Sequence, residues 1–190
     1  MNTKGHLTSK GLQEIVSIKA SMNKGLSGMS SELKEAFPNI VNIPRPMVES
    51  FEIQDPNWLA GFTSAEGCFH IKQRVGKKLG NSIVELIFSI SQHSRDKNLI
   101  ESLVDYLGCG RISVSKEAAY YTCSRFTDLS EKILPFFINY AILGIKSEDF
   151  KDLCKVCEIV KSKGHLTNEG FNQIREIKRG MNFGRSQIKD

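Results

Sequence analysis

The sequence has no long apolar run. The longest ones, such as residues 83–88, are far shorter than the roughly 20 residues that a membrane-spanning helix needs, and Glu85 interrupts this one. The first residues show neither the apolar segment of a signal peptide nor the Arg-rich, acid-free composition of a mitochondrial transit peptide. We therefore expect no membrane segment, and synthesis inside the organelle if the protein works in one.

Cysteine is scarce and odd in number. The five cysteines are scattered through apolar stretches, which favours buried thiols in a reducing compartment over a disulfide framework. Cys154 and Cys157 have the spacing of a metal or redox pair, but they lie in a helical pattern without a second such pair or paired histidines. We expect these two thiols to pack in the core.

A strong excess of either charge is also missing. The chain has 26 Lys and Arg residues against 21 Asp and Glu residues, a net charge of +5, and its pI is about 8.9. Such mild basicity is compatible with nucleic-acid binding, but many other proteins share it. The placement of the charges along the chain is therefore more informative than their sum.

The two ends of the chain repeat one another. Residues 4–27 are KGHLTSKGLQEIVSIKASMNKGLS and residues 163–186 are KGHLTNEGFNQIREIKRGMNFGRS, with a constant offset of 159 (163 − 4) and 13 of 24 positions identical. Each copy places a threonine, Thr8 or Thr167, at a helix N-cap, continues with apolar residues at helical spacing, and ends at Asn-x-Gly. The repeat indicates that a unit of about 160 residues was duplicated.

A proline-rich linker separates the tail of the first repeat from the second repeat. A short helix is predicted from Ser30 or Ser31 to Ala36, and the prolines beyond it favour an extended strap. We therefore divide the chain into residues 1–55, the tail helix of a truncated first repeat plus the linker, and residues 56–190, a complete second repeat.

Within the second repeat the hydrophobic pattern alternates between helices and paired strands. The resulting order is α-β-β-α-β-β-α-α, which predicts an α+β fold. The predicted elements are a helix at 57–65, strands at 68–75 and 82–92, a helix at 96–107, strands at 111–115 and 120–125, a helix at 129–137, and two closing helices at 146–160 and 167–182.

Residues 58–67, WLAGFTSAEG, resemble the LAGLIDADG motif at both ends, with Glu66 in place of the final Asp and a divergent middle at 62–64. On this motif and its flanks the chain resembles the C-terminal half of a LAGLIDADG homing endonuclease of the two-repeat, fungal mitochondrial intron-encoded type. The resemblance implies that the four strands form one antiparallel DNA-binding sheet. The matching flanks are a hairpin after the motif, FSISQ at 88–92, YLGCG at 106–110 and GIKSEDF at 144–150.

The motif helix carries small residues at four-residue spacing, Ala60 with Ser64 and Gly61 with Ala65. Two such helices can approach backbone to backbone, which brings Glu66 close to the acid of a partner helix. Each carboxylate, with a carbonyl such as that of Ala65, can hold a hard divalent ion such as Mg²⁺. Two adjacent ions activate water and stabilise the leaving oxygen of a phosphodiester. The alternative is a surface glutamate that ends a helix packed in a core.

The resemblance implies two further active-site residues. Gln92 matches the polar residue that the family keeps near the catalytic water, and Lys146 matches the family's active-site lysine, which polarises the water or offsets charge at the phosphate. The alternatives are a strand-end cap for Gln92 and an exposed lysine at a helix start for Lys146.

Strand parity leaves one sheet face free for the major groove, where base edges differ. Lys72 and Arg74 are suited to guanine, and Lys77 and Lys78 in the turn at 76–81 are suited to phosphate. The alternative is a solvated polar face. The predicted DNA-binding residues are His70, Lys72, Arg74, Lys77, Lys78, Glu85, Ser89, Arg111, Ser113, Ser115 and Thr122.

The resemblance therefore implies a site-specific, Mg²⁺-dependent endonuclease of double-stranded DNA, located in the mitochondrion. Cutting both strands needs two active sites, so a second LAGLIDADG half is expected, either an identical chain or a separate N-terminal half, unless the chain is a truncated product. The alternatives are a group I intron maturase and a non-cutting DNA-binding or scaffold domain. The joint presence of Glu66, Gln92 and Lys146 favours the nuclease.

Overall fold

The computed structural model describes residues 4–22, 25–44, 52–74 and 83–187. The chain forms two compact units, Met1–Ser50 and Phe51–Asp190. Within the described ranges, no helix combines the length and the apolar character needed to cross a membrane.

The first unit is a small helical segment. It contains α1 (Ser9–Ser21) and α2 (Ser31–Ala36), which are capped by Thr8 and Ser30 through hydrogen bonds from the backbone N–H groups of Gly11 and Leu33. One side of α1 carries small apolar residues. This side packs against apolar residues that follow the helix in the chain, and together they form a minor core. This core consists of Val16, Ala20 and Met29, with Leu33, Phe37 and Ile40 packed around them.

The second unit has the predicted α+β order around one four-stranded sheet. The strands lie in the order β1-β2-β4-β3, and every neighbouring pair is antiparallel. The elements are α3 (Pro56–Glu66), β1 (Gly67–Arg74), β2 (Ile83–His93), α4 (Lys97–Leu107), β3 (Arg111–Val114), β4 (Ala118–Cys123), α5 (Phe126–Asp128), a π-helical turn (Leu129–Ile133), α6 (Leu134–Asn139), α7 (Lys146–Lys161) and α8 (Asn168–Arg179).

Three predicted elements have wrong boundaries, and one of them is the closing helix expected at 167–182, which ends at Arg179. The strand expected at 120–125 is β4, which begins and ends two residues earlier, since Ser115 closes a tight turn by accepting a hydrogen bond from the Ala118 N–H at 3.1 Å. The helix expected at 129–137 begins at Phe126 and contains a π-helical turn. Pro135 has no N–H to donate to the preceding turn, which accounts for irregular helix just before it.

The motif helix α3 runs into strand β1 without a loop. Asp55 caps its start by accepting from the N–H of Asn57 at 2.8 Å, and Pro56 occupies the first turn. At the other end the N–H of Gly67 donates to the carbonyl of Thr63. A Cβ at Gly67 would lie 2.6 Å from that carbonyl oxygen. Only glycine fits this junction, which places Glu66 at the last helical position.

Aromatic rings fill the space between the sheet and the helices. Phe69 and Phe88 stack with centroids 5.0 Å apart, and Phe137 meets Phe88 edge-on at 5.2 Å. All three side chains are at most 1% exposed. Each such burial stabilises the fold by about 1.5–3 kcal/mol, with a further gain from the ring geometry. Leu86 and Ile90, at alternate positions of β2 on either side of Phe88, are also buried.

The repeated ends of the chain share their local geometry. Lys4 and Lys163 both adopt left-handed backbone angles, and each begins a short 3-10 turn. Thr8 and Thr167 then make matching pairs of hydrogen bonds, donating to a glycine carbonyl at 2.8 Å and accepting from a glycine N–H at 3.1 Å. The duplication predicted from the sequence therefore extends to backbone conformation.

The two repeated helices differ in the surroundings of their apolar faces. In α8, Phe171 and Ile174 are buried, and beyond its end Met181 also lies in the main core. The equivalent residues of α1, at an offset of 159, are Leu12, Ile15 and Met22, and these are 44%, 46% and 57% exposed. The face that α8 buries is thus open on α1.

Candidate active site and DNA-binding face

Glu66 is the exposed final residue of α3. The residue before it, Ala65, is also exposed, and the residue after it, Gly67, opens β1. The last carbonyls of a helix have no partner within the helix. The carboxylate of Glu66 and the carbonyl of Ala65 therefore lie together at an accessible helix end.

Lys146 is brought to this helix end from far along the chain. It is the half-buried first residue of α7, and its ammonium donates a hydrogen bond to the backbone carbonyl of Gly67. Gly67 follows Glu66 directly, so a positive charge lies at the junction that carries the acid. The structure thus places the Lys146 ammonium beside the residue that follows Glu66.

The register of β1 and β2 places Gln92 near the same junction. Gly67 on β1 pairs with Ile90 on β2, and Gln92 lies two residues beyond Ile90, next to the position where β1 gives way to α3. Its side chain is half-buried and follows the inward parity of Phe88 and Ile90. Because a strand rises about 3.3 Å per residue, Gln92 lies beside the last turn of the motif helix.

The oxygen donors at this junction are of the kind that bind hard divalent ions, which take carboxylate and carbonyl oxygens. Glu66 and Ala65 supply one of each. In the part of the chain that the structure describes, no group of three or more His, Cys, Asp or Glu residues is arranged to hold a metal ion. The donor set fits an ion that completes its shell with oxygens from outside this chain, such as phosphate or water.

The four small residues of α3 divide into two pairs. Ala60 is only 3% exposed, and the hydroxyl of Ser64 donates to the Ala60 carbonyl and accepts from the Leu143 N–H at 3.0 Å. This pair makes contacts within its own unit. Gly61 and Ala65 remain on the open side, and a Cβ built at Gly61 meets no atom within 4 Å.

The outward face of the sheet forms a shallow polar groove of about 410 Å³. Cross-strand partners run through it: Arg111 pairs with Thr122, and Thr122 with Ser89. The lining residues, seven of which the sequence had placed on this face, are His70, Lys72, Glu85, Ile87, Ser89, Arg111, Ser113, Tyr120, Thr122 and Ser124.

The charges in this groove are weakly restrained. Lys72 and Glu85 lie 3.9 Å apart with side chains 51% and 37% exposed, so their attraction is small and both remain accessible to a ligand. Burial, followed by repulsion from Lys72, lowers the pKa of His70 below its usual 6.5, while Glu85 opposes the shift. His70 is therefore neutral at pH 7, able to donate and to accept one hydrogen bond.

Sequence reasoning missed Tyr120, Ser124 and Ile87 as groove residues. Tyr120 and Ser124 have the same parity as Thr122, so that signal was available. Ile87 also points outward but is 3% exposed, because it is the cross-strand partner of His70 in the middle of the sheet. It serves as an apolar floor to the groove.

Two of the predicted DNA-binding residues lie at the margins of the groove. Arg74 is exposed at the end of β1. Ser115 lies past the end of β3, and its hydroxyl donates to the Ala118 carbonyl in the hairpin turn. Two further predicted residues, Lys77 and Lys78, lie outside the described residues.

The cysteine pair of α7 is packed as expected. Cys157 lies in the main core and Cys154 packs against that core. Burial raises the pKa of Cys154 to about 11 and also raises the pKa of Cys157. Both thiols are therefore protonated at neutral pH, and thiolates are the reactive and metal-binding form.

A small-residue helix that ends in a single acid and leads straight into an open polar sheet defines the LAGLIDADG class. Residues 59–157 match the family model described as LAGLIDADG endonuclease. The chain belongs to this family.

Curated relatives and solved structures agree with this membership. Probable intron-encoded endonuclease 3 of Neurospora crassa is 42% identical over 92% of this chain and 33% of its own length. Probable intron-encoded endonuclease 2 of the same fungus is 35% identical over 93% of this chain and 40% of its own length. The chain thus spans a third to two fifths of these relatives.

Two DNA complexes are similar in structure. The I-SmaMI LAGLIDADG homing endonuclease bound to cleaved DNA has a TM-score of 0.91 and 47% identity, over 97% of this chain and 62% of that chain. The I-GzeII homing endonuclease in complex with its DNA target has a TM-score of 0.88 and 42% identity, over 97% and 63%. I-SmaMI was also solved with an uncleaved DNA target in the presence of calcium ions.

Proposed function

We propose that this chain is one half of a site-specific, Mg²⁺-dependent DNA endonuclease that reads the major groove with its sheet and hydrolyses phosphodiester bonds when paired with a second LAGLIDADG half. The observation that carries this proposal is the hydrogen bond from Lys146 to the carbonyl of Gly67, the residue that follows Glu66, with Gln92 two residues beyond the cross-strand partner of Gly67. The strand that starts at this junction also lines the polar groove, so a duplex on the sheet passes close to the acid.

Each residue at the junction has a distinct role in this proposal. The carboxylate of Glu66 and the carbonyl of Ala65 hold Mg²⁺, which when bound polarises the phosphate and lowers the pKa of a water. The ammonium of Lys146 offsets negative charge that develops at the phosphate. The amide of Gln92 orients the attacking water through hydrogen bonds. Two junctions, one from each half, are needed to cut both strands.

The exposed apolar face of α1 supports pairing with a second half. Leu12, Ile15 and Met22 occupy the positions that Phe171, Ile174 and Met181 use to pack on the body of the second repeat. The same face on α1 fits the body of another LAGLIDADG unit, and exposed apolar surface of this kind commonly marks an interaction site. The open side of α3 at Gly61 and Ala65 provides the second contact, helix to helix.

We further infer that the protein works in the mitochondrion. The support comes from relatives named for introns of the respiratory genes cox1 and ND4, a 37.2 kDa protein of Schizosaccharomyces pombe and a 50.9 kDa protein of Podospora anserina.

The test is the native mass of the particle that the full chain forms on DNA. Duplexes that the protein retains from a random library in Ca²⁺ are sequenced. The native mass of each protein–DNA particle is then measured in Ca²⁺, and cleavage is assayed after transfer to Mg²⁺. Two 21.3 kDa chains on one near-palindromic duplex, cleaved after Mg²⁺ is added, support the self-paired nuclease. One chain on a half-site, with cleavage only after a first-repeat half is added, supports the split enzyme. Retention of structured RNA but no duplex overturns the proposal.

A further inference from the structure

Helix α8 carries a one-sided row of cations that the active site does not use. At about 100° per residue, Lys178, Arg175 and Arg179 lie roughly 40°, 100° and 140° around the helix from the buried Ile174. Glu169 and Glu176 lie at about 200–220°, beyond Arg179, and Glu176 pairs with that arginine. All three cations are exposed.

This row lies along the edge of the sheet. The backbone carbonyl of Phe171 accepts a hydrogen bond from the Gln73 amide at 2.8 Å. Just past the end of α8, the side-chain amide of Asn182 donates to the Phe69 carbonyl at 3.0 Å. The helix thus runs antiparallel to β1, which is an edge strand, and its cations extend the surface beyond that edge.

The cationic row is continuous with the polar groove of the sheet. Besides burial and Lys72, Lys178 also lowers the pKa of His70, a groove residue, so the two side chains are close enough to interact. A second shallow groove of about 320 Å³ joins the helix to the strand. It is lined by Gln73, Phe171, Arg175, Lys178 and Arg179.

Two of the three cation positions are apolar in the duplicated helix α1. Val16 and Ala20 occupy the positions of Arg175 and Arg179 and are 3% and 1% exposed in the minor core of the first unit, whereas Lys19 occupies the position of Lys178. The closing helix of the repeat therefore does not need cations at the positions of Arg175 and Arg179 in order to form. In α8 the positions that α1 uses for packing are exposed and basic.

Intramolecular contacts hold the cations only loosely. Arg175 lies over the ring of Phe171 at 5.6 Å from its centroid, which leaves the edges of its guanidinium available. Arg179 pairs with Glu176 at 3.0 Å, but the side chains are 75% and 66% exposed, so this pair contributes little to stability. Arg175 and Arg179 are four residues apart, or about 6 Å along the helix axis.

We propose that Arg175, Lys178 and Arg179 form a phosphate-binding flank that holds the sugar-phosphate backbone of the duplex whose bases lie over the sheet. This inference rests on the proposed DNA-binding function and adds a contact outside the sheet. A backbone contact of this kind positions the duplex without reading its sequence. The flank would fix the register of the DNA against β1, where His70 and Lys72 meet the bases.

The experiment replaces the three cations by glutamine in the full chain, R175Q/K178Q/R179Q, and measures duplex affinity against salt. The matched control removes three lysines from the exposed side of α7, K151Q/K155Q/K161Q, which changes the net charge equally. The α8 variant is expected to lower the slope of log K against log salt by about 3, with at least about tenfold weaker binding at physiological salt, equally for specific and random duplexes. The α7 control is expected to keep the wild-type slope.

A third variant, K72Q/R74Q/R111Q, separates this inference from the proposed function. If it lowers the slope while the α8 variant matches the α7 control, the phosphate-binding flank is wrong and DNA binding by the sheet stands. If neither variant changes the slope, the proposed function falls as well. If the α8 variant loses affinity for structured RNA but keeps its affinity for duplex DNA, the proposed phosphate-binding flank is also wrong. If the triple variant does not fold, the single variant K178Q, which leaves the packing of α8 untouched, replaces it in the experiment. This variant is expected to lower the slope by about 1.

Discussion

The ammonium of Lys146 donates to the backbone carbonyl of Gly67, 79 residues away and directly after Glu66. This bond joins the start of α7 to the α3–β1 junction. One turn further along α7, Asp149 accepts from the Asn182 N–H at 3.0 Å and pairs with Arg185 at 3.0 Å. Since Asn182 also holds the Phe69 carbonyl, the first residues of β1 are fixed from two sides, and so is the acid that precedes them.

Replacing Lys146 by methionine is expected to slow cleavage by about 10²–10³-fold and to leave duplex affinity within a few-fold. The positive charge near the phosphate is removed, whereas the groove that binds the bases is untouched. Single-turnover cleavage rates and Kd values measure the two effects separately. Lys151→Met on the exposed side of the same helix is the control and should cleave at the wild-type rate. An unchanged rate for Lys146→Met would remove Lys146 from the active site.

The polar groove predicts a steep salt dependence. Replacing Lys72, Arg74 and Arg111 by glutamine should reduce the slope of log K against log salt by about 0.9 for each phosphate that is no longer neutralised. Any of the three that contacts a base should instead change sequence preference, measured by selection from a random duplex library. A wild-type slope near zero would show that this face does not bind nucleic acid.

His70 should make both stability and DNA binding depend on pH. Burial and Lys72 lower its pKa below 6.5, so between 6.5 and the lowered value the unfolded chain binds more protons than the folded one. The free energy of unfolding should therefore decrease as the pH falls through this window. Phosphates of a bound duplex favour the imidazolium, so DNA should raise the pKa of His70 and affinity should increase as the pH falls.

NMR titration of the His70 ring with and without duplex measures this shift directly. His70→Gln, which keeps a hydrogen-bonding side chain at the same position, should make affinity independent of pH over this range. If the pKa of His70 is the same in both states, the DNA does not approach this part of the sheet.

Substitution at Gly61 tests the pairing of two halves. A Cβ there meets no atom within 4 Å, so Gly61→Leu should leave the thermal stability of the isolated chain nearly unchanged. In a paired complex the leucine would hold the two motif helices apart, and both assembly and cleavage should disappear together. Gly61→Ala is the milder control, and sedimentation with a cleavage assay measures both properties. A stable monomer that cuts both strands, with either variant, contradicts this interface.

Alternation along the strands predicted the inward and outward faces of the sheet, because a buried face imposes a period of two. It could not predict that Ile87 would be covered, since that depends on the His70 side chain across the strand. Motif spacing predicted the small residues of α3 but not which of them pack within their own unit and which remain on the open side. The rotation of the helix against its own unit buries Ala60 and exposes Gly61, and that rotation is set by packing.

The sequence patterns could not predict contacts between segments that are distant along the chain. The pairing of Asp149 with Arg185, the bond from Lys146 to Gly67 and the position of α8 along β1 all depend on tertiary packing, which no local pattern encodes. The repeat was visible as a duplication, but only burial showed that Leu12 and Ile15 are open where Phe171 and Ile174 are covered.

The carboxylate of Glu66 is central to the proposed function, because in that proposal it holds the metal ion while the sheet binds the duplex. The most direct test is Glu66→Gln, assayed for binding in Ca²⁺ and for cleavage in Mg²⁺ on a duplex that the wild-type complex cuts. We predict a Kd within a few-fold of wild type and no cleavage of the phosphodiester bond facing this half. A Glu66→Gln protein that still breaks that bond in Mg²⁺ contradicts the assignment of Glu66 as the metal-binding acid.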